Sequence, residues 1–169
     1  KIDKLISKDP INVSKEIEVK DIKNFQIFKN KQLYCLLFHD EYDAEWMRSK
    51  IVKKKILELK KKKYFKKIGV SCYNYKLIKK YTKLYNFDVF QLPLNIFNIN
   101  PKKIEELKNL KKKHNFQIHA RSVFLQGVLL KNRQILPNSL NKLKYYIENL
   151  NKDIERKHQE PENYLISLV

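Results

Sequence analysis

The stretch Ile118-His119-Ala120-Arg121-Ser122-Val123-Phe124-Leu125-Gln126-Gly127-Val128-Leu129-Leu130 decides how the 169-residue chain is read. Residues 116–121 alternate over strand length, then run into a small polar residue and a loop that ends at one of only two glycines. Such a segment predicts a strand that hands a ligand to the loop after it, a junction between strand and helix with a chemical task.

The same arrangement recurs upstream. Leu33-Tyr34-Cys35-Leu36-Leu37-Phe38 is a nearly continuous apolar run of strand length, the pattern of a strand covered on both faces in a parallel sheet, and it ends in His39-Asp40-Glu41. Residues 67–71 form a short strand that delivers Ser71, Cys72 and Asn74, and residues 88–92 form another, stopped by Pro93. Leu5-Ile6-Ser7-Lys8 reads as a brief strand entering a loop at Asp9-Pro10.

Helical patterns separate these strands. Residues 14–30 are weakly helical, with Ile17, Ile22, Phe25 and Ile27 as core candidates. Residues 44–63 predict one long amphipathic helix, with Trp46, Met47, Ile51, Ile56, Leu57 and Leu59 as its apolar members and the lysines as the wet ones. Further helices are predicted over 75–86, from Pro101 to about His114, over 139–151 and over 161–169.

Strict alternation predicts an α/β fold with a parallel sheet, either doubly wound or closed as a (β/α)8 TIM barrel. The polar residues select the barrel. Lys8, His39, Ser71, Gln91 and Arg121-Ser122 all fall at the C-terminal ends of their strands, which converge on one mouth in a barrel. A doubly wound fold would concentrate phosphate binding in a Gly-rich first turn, and the chain has no G-x-G-x-x-G. The expectation is a single barrel domain over residues 1–169.

Composition bounds the partners. With 43% apolar and 12% aromatic residues the chain is expected to be globular. No run of about 18 apolar residues suggests a membrane span, and the first residues lack the apolar core of a signal peptide, so a cytoplasmic location without membrane contact is expected. The net charge of +19 invites a nucleic-acid reading. Yet 33 of the 37 basic residues are Lys, in a chain also rich in Asn, Ile and Tyr, a bias that AT-rich codons produce by themselves. The lysines are therefore expected to be solvated helix faces, and nucleic acid is not the expected partner. Cys35 and Cys72 sit on separate predicted strands and are expected to be reduced, buried thiols.

Four pieces in order now resemble the aldo-keto reductase family: Leu36-Leu37-Phe38-His39-Asp40, Ile68-Gly69-Val70-Ser71-Cys72-Tyr73-Asn74, Val89-Phe90-Gln91-Leu92-Pro93-Leu94-Asn95, and Ile118 to Leu130. The nearest likeness is a bacterial branch with R-S-V-F-L-Q-G where better-known members have Y-S-P-L. The resemblance implies an NAD(P)-dependent oxidoreductase that moves a hydride between NADP or NAD and a small-molecule carbonyl substrate. It implies that His39 and Lys8 are members of an Asp, Tyr, Lys, His tetrad, in which Tyr is the acid, Lys lowers the Tyr pKa and His orients the carbonyl. It also implies that Ser71 and Gln91 hold the nicotinamide carboxamide and that Arg121 stacks on that ring. Ser122 and the backbone from Phe124 to Gly127, Leu125 included, would take the pyrophosphate. No metal site is expected; His39, Asp40 and Asp43 as ligands of a different barrel enzyme are the weaker alternative.

On this likeness the chain would run from about the third strand to the helix before the eighth. The tetrad Asp and Tyr would then lie outside it, and it is expected to be a barrel portion, inactive alone. Cys72 stands where many relatives have Asn, and Ile99-Asn100-Pro101 is shorter than the basic loop usual in that branch.

Overall fold

A computed structural model describes residues 9–28, 31–39, 42–131 and 136–169. Lys8 with the strand predicted around it, Asp40, and the side chains of Ile22 and Phe25 lie outside the described residues. Four strands, β1 (Leu33–Phe38), β2 (Phe65–Ser71), β3 (Val89–Pro93) and β4 (Gln117–Arg121), form one parallel sheet in sequence order. Before, between and after them run α1 (Pro10–Ile27), α2 (Lys50–Lys61), α3 (Ile78–Leu84), α4 (Pro101–His114), α5 (Asn141–Lys157) and α6 (Pro161–Ser167).

The pairing explains why polar residues share one face. Cys35 opposes Lys67, Leu37 opposes Gly69, Gly69 opposes Val89, and Ser71 opposes Gln91. Because side chains alternate along a strand, this register puts Ser71 and Gln91 on one face and Ile68, Val70, Phe90 and Leu92 on the other. The second set is fully buried, as are Val52, Ile56 and Leu59 of α2. Each such side chain contributes about 1.5–3 kcal/mol by leaving water. Phe38, Phe87, Phe90 and Phe116 continue this core as a run of edge-to-face rings 4.8–6.1 Å apart.

Asp88 ties three elements together just before β3. Its carboxylate accepts from Lys60 Nζ and from the Ile68 amide, both at 2.9 Å, and its carbonyl accepts from Gln117 N at 2.9 Å.

Two local readings are corrected. The helix predicted over 44–63 is broken: Asp43–Arg48 is a 3-10 helix, Ser49 is extended at ψ 120°, and α2 starts afresh with the Ser49 side chain accepting from the Val52 amide. A side-chain oxygen that satisfies a first-turn N–H stabilises a helix start, so Ser49 converts one amphipathic stretch into two elements. Where Asp9-Pro10 was expected to enter a loop, Pro10 begins α1, with Asp9 Oδ1 accepting from Ile11 N at 3.3 Å. Pro at the first helical position sacrifices no hydrogen bond there.

The chain divides into two compact units, Lys1–Leu92 with Glu105–His119, and Pro93–Ile104 with Ala120–Val169. The second has its own core: Leu129, Leu136, Ile147, Leu150, Ile154 and Leu165 are buried together, with Val123, Phe124 and Leu125 packed against them. The α5 residues Ile147, Leu150 and Ile154 recur at helical spacing and carry its buried stripe.

Candidate functional site

In the first unit Ser71 ends β2 beside Gln91, the middle residue of β3, and Ser71 Oγ donates to Gln91 Oε1 at 3.4 Å. That is long for an O–H···O bond, so neither group is saturated by the other. Among the described residues no protein group accepts from the Gln91 amide nitrogen. A hydroxyl, an amide oxygen and an amide NH2 at one rim are the complement of a primary carboxamide, which needs both donors and acceptors. The adjacent Cys72 is fully buried, and its backbone N–H extends the ladder to Gln91 O at 2.9 Å. Its thiol is part of the packing and is not presented to a ligand.

His39 follows β1 and is exposed. It lines a cavity of about 190 Å3 with Val13, Ile17, Phe38, Asp43 and Trp46, a set that includes neither Ser71 nor Gln91. The predicted grouping of His39 with the β2 and β3 residues is thus not made by direct contact: His39 follows β1 and Ser71 ends β2, but Gln91, expected at a strand end, lies in the middle of β3. Beneath them, Gly69 lets β2 and its neighbours approach closely. A Cβ there would lie 2.7 Å from Leu37 Cδ2 and from Val89 O.

In the second unit Arg121 closes β4, and its carbonyl accepts from Leu94 N at 3.0 Å. The following loop is unusual in its backbone. Ser122, Leu125 and Gln126 all have positive φ (58°, 45° and 56°), as does Gly127 at 84°. L-residues other than Gly reach this region at a cost of about 1–2 kcal/mol each, and such conformations concentrate at ligand clamps and active sites. The loop holds them with bonds from Leu125 N to Ser122 O at 3.1 Å and from Gly127 N to Phe124 O at 2.9 Å.

Those bonds refine the predicted phosphate cradle. The Leu125 and Gly127 amides are committed to the turn, so these two residues shape the loop; Leu125 also packs on the core of this unit. The amides of Val123, Phe124 and Gln126 donate to no protein group among the described residues. Backbone amides left unengaged in a tight turn can bind an anion.

Sequence reading missed the residues that clamp this loop. Asn95, buried, reaches Ser122 O with Nδ2 at 3.5 Å and accepts from Phe97 N at 3.1 Å. Asn98 accepts from Asn95 N at 2.9 Å and donates to Pro93 O at 3.0 Å. Lys103 is buried in the first turn of α4, where Nζ donates to Asn98 O at 3.0 Å, and burial holds its pKa below the ordinary lysine value. The available signal was the Asn-x-x-Asn spacing between Pro93 and Pro101, which suits side-chain bonding to local backbone.

No protein-family model matches the sequence, and no curated protein matches it. Solved structures do. The glycerol dehydrogenase AKR11B4 from Gluconobacter oxydans superposes with a TM-score of 0.65 at 14% identity, over 90% of this chain and 50% of that one. The apo form of the protein Gox0644 superposes with a TM-score of 0.58 at 18% identity, over 87% of this chain and 48% of that one. The chain therefore spans about half the length of the structures it matches. At such identities the likeness is one of fold: an α/β arrangement with a parallel sheet, corresponding to part of a (β/α)8 barrel.

Proposed function

We propose that this chain is the cofactor-holding part of an NAD(P)-dependent oxidoreductase that acts on a small carbonyl compound. The observation that carries the reading is the under-saturated pair of Ser71, which ends β2, and Gln91 beside it on the parallel β3, near the strand ends where barrels place their chemistry. The likeness in fold to a glycerol dehydrogenase supports it. When bound, a nicotinamide cofactor supplies or accepts the hydride.

The residues present fit such a group. Gln91 would donate to the carboxamide oxygen through Nε2, and Ser71 would complete the carboxamide's hydrogen bonds, fixing the ring about the bond to its amide. The amides of Val123, Phe124 and Gln126, together with the Ser122 hydroxyl, would bind pyrophosphate oxygens. Arg121 would stack against the ring or neutralise phosphate, for either of which its planar cation is suited. His39 would orient a carbonyl oxygen by hydrogen bonding, and Lys8 would lower the pKa of the proton donor.

Equilibrium titration with NADPH and NADH tests this. The chain should quench or shift the reduced nicotinamide fluorescence saturably, and Gln91→Ala should weaken binding by roughly fivefold to tenfold, the value of one or two hydrogen bonds. Gln117→Ala, at the opposite end of the sheet, should leave it unchanged. Absence of saturable binding, or equal weakening by both substitutions, would overturn the assignment.

A further inference from the structure

One surface of the first unit departs from the pattern of scattered, solvated lysines, and it is independent of the proposed cofactor site. Lys76, Lys79, Lys80 and Lys83 recur at positions i, i+3, i+4 and i+7, so they share one face of α3 and the turn leading into it, while Ile78, Tyr81 and Thr82 are buried on the other. An amphipathic helix explains a wet lysine face by itself. Three further features go beyond that.

The face is concave. With Arg48, from the 3-10 helix before α2, the four lysines line a depression of about 760 Å3 that also includes Met47 and Leu84. A second depression, of about 570 Å3, adjoins it through the shared Lys76 and Lys79 and adds Asn109 and Lys113 of α4. The charge is also largely uncompensated. Glu45 bridges Arg48 at 2.6 Å and Lys80 at 2.5 Å, and Glu106 is engaged by the Tyr75 hydroxyl. Lys76, Lys79, Lys83 and Lys113 form no ion pair among the described residues, whereas Lys55, Lys60 and Lys152 all do. Finally, Lys76 with Lys80 and Lys79 with Lys83 are like-charge neighbours at i, i+4, an arrangement that weakens a helix and that a bound polyanion relieves.

We propose that the groove formed by Arg48, Lys76, Lys79, Lys80 and Lys83 binds the phosphodiester backbone of nucleic acid without reading its sequence. The lysine row runs about 10 Å along the helix, the axial span of about three phosphates of one duplex strand. Base recognition is not part of the proposal, since lysine offers only point-charge contacts to phosphate.

The test is salt-dependent binding of a fluorescent DNA duplex by the whole chain. Five cations, less the charge that Glu45 cancels, leave about four phosphates neutralised, for a slope of log K against log salt of about −3.6. Affinity should then fall roughly 150-fold between about 50 and about 200 mM salt. The triple substitution Lys76→Gln, Lys79→Gln, Lys83→Gln spares the Glu45-paired Lys80; it should reduce the slope to about −0.9 and the fall to roughly threefold. Lys50, Lys54 and Lys61 line a separate, more open surface on α2, and their triple change to Gln removes the same charge yet should leave the slope near about −3.6. Should the α3 triple variant lose its fold by circular dichroism, Lys79→Gln alone should make the slope shallower by about one unit. Equal loss in the α2 and α3 variants would show an effect of net charge and overturn the proposal. So would an absence of duplex binding, or use of the same lysines for phosphatidylserine vesicles but not for DNA.

Discussion

Replacing Gly69 by alanine tests how tightly the sheet is drawn together beneath Ser71. The added methyl would sit 2.7 Å from Leu37 Cδ2, 2.7 Å from the Val89 carbonyl oxygen and 2.9 Å from Val89 Cβ. Leu37 can swing away by changing rotamer, but the Val89 oxygen belongs to the paired backbone of β3 and moves only with the strand. Overpacking of this kind costs about 1–3 kcal/mol. Alanine recovers about 0.4–1 kcal/mol by restricting the unfolded chain, so a net loss of about 1–2 kcal/mol is expected. In a chain of this size that corresponds to a melting temperature lower by about 2–8 °C. Thermal and urea unfolding followed by circular dichroism would measure it. The double variant Leu37→Ala, Gly69→Ala should remain destabilised, because the backbone contact persists. A Gly69→Ala protein as stable as the parent would refute the close strand approach, and with it the placement of Ser71 against Gln91.

Other outcomes follow from single groups. Gly127→Ala meets no neighbour within 4 Å, so its cost is the positive φ alone, about 1 kcal/mol, and Gly127→Asn should cost less; equal stability of all three proteins in urea would contradict the left-handed turn. Asp88→Ala leaves the Ile68 amide and Lys60 without their partner and should destabilise by about 1–3 kcal/mol, whereas an unchanged urea midpoint would show that the network contributes nothing. Burial first, then the neighbouring Asp88, push the Cys35 thiol from 9.0 up to about 11. Its thiolate is thus scarce at pH 8, and iodoacetamide should label it roughly 100-fold more slowly than in the urea-unfolded chain. Because the folded state resists ionising this thiol, its contribution to stability is constant below about pH 9 and falls as pH rises above that value. Rapid labelling mapped to Cys35 at neutral pH would contradict this.

How much of this architecture is visible in the amino-acid order depends on where local signals are strong. The apolar run Leu33–Phe38 and the alternation of strand and helix make the parallel sheet legible, although β1 is not covered on both faces as its composition suggested: Phe38 alone is buried and Tyr34 is exposed. Pro101 and the lysines closing α4 likewise mark that helix at both ends. The break at Ser49 is not legible, since the amphipathic stripe continues across it and only the extended backbone of one capping residue divides the segment. In the loop after β4, Gly127 announces a left-handed turn, but nothing in Leu125 or Gln126 shows that they share it. Their conformation goes with the local turn bonds of the loop and with packing of Leu125 on its unit's core. The Asn95–Asn98 clamp was hidden for the same reason: asparagine is abundant in this chain, and its role depends on which carbonyls the fold brings within reach.

The central proposal, that Ser71 and Gln91 hold a nicotinamide carboxamide and that the loop from Ser122 to Gly127 takes pyrophosphate, is tested most directly by mapping amide chemical shifts of the isotopically labelled chain during titration with NADP. The account predicts saturable shifts at Ser71, at the Gln91 side-chain amide and at the uncommitted amides of Val123, Phe124 and Gln126. It would be contradicted by a spectrum unmoved at millimolar cofactor, or by shifts confined to the lysine face from Lys76 to Lys83.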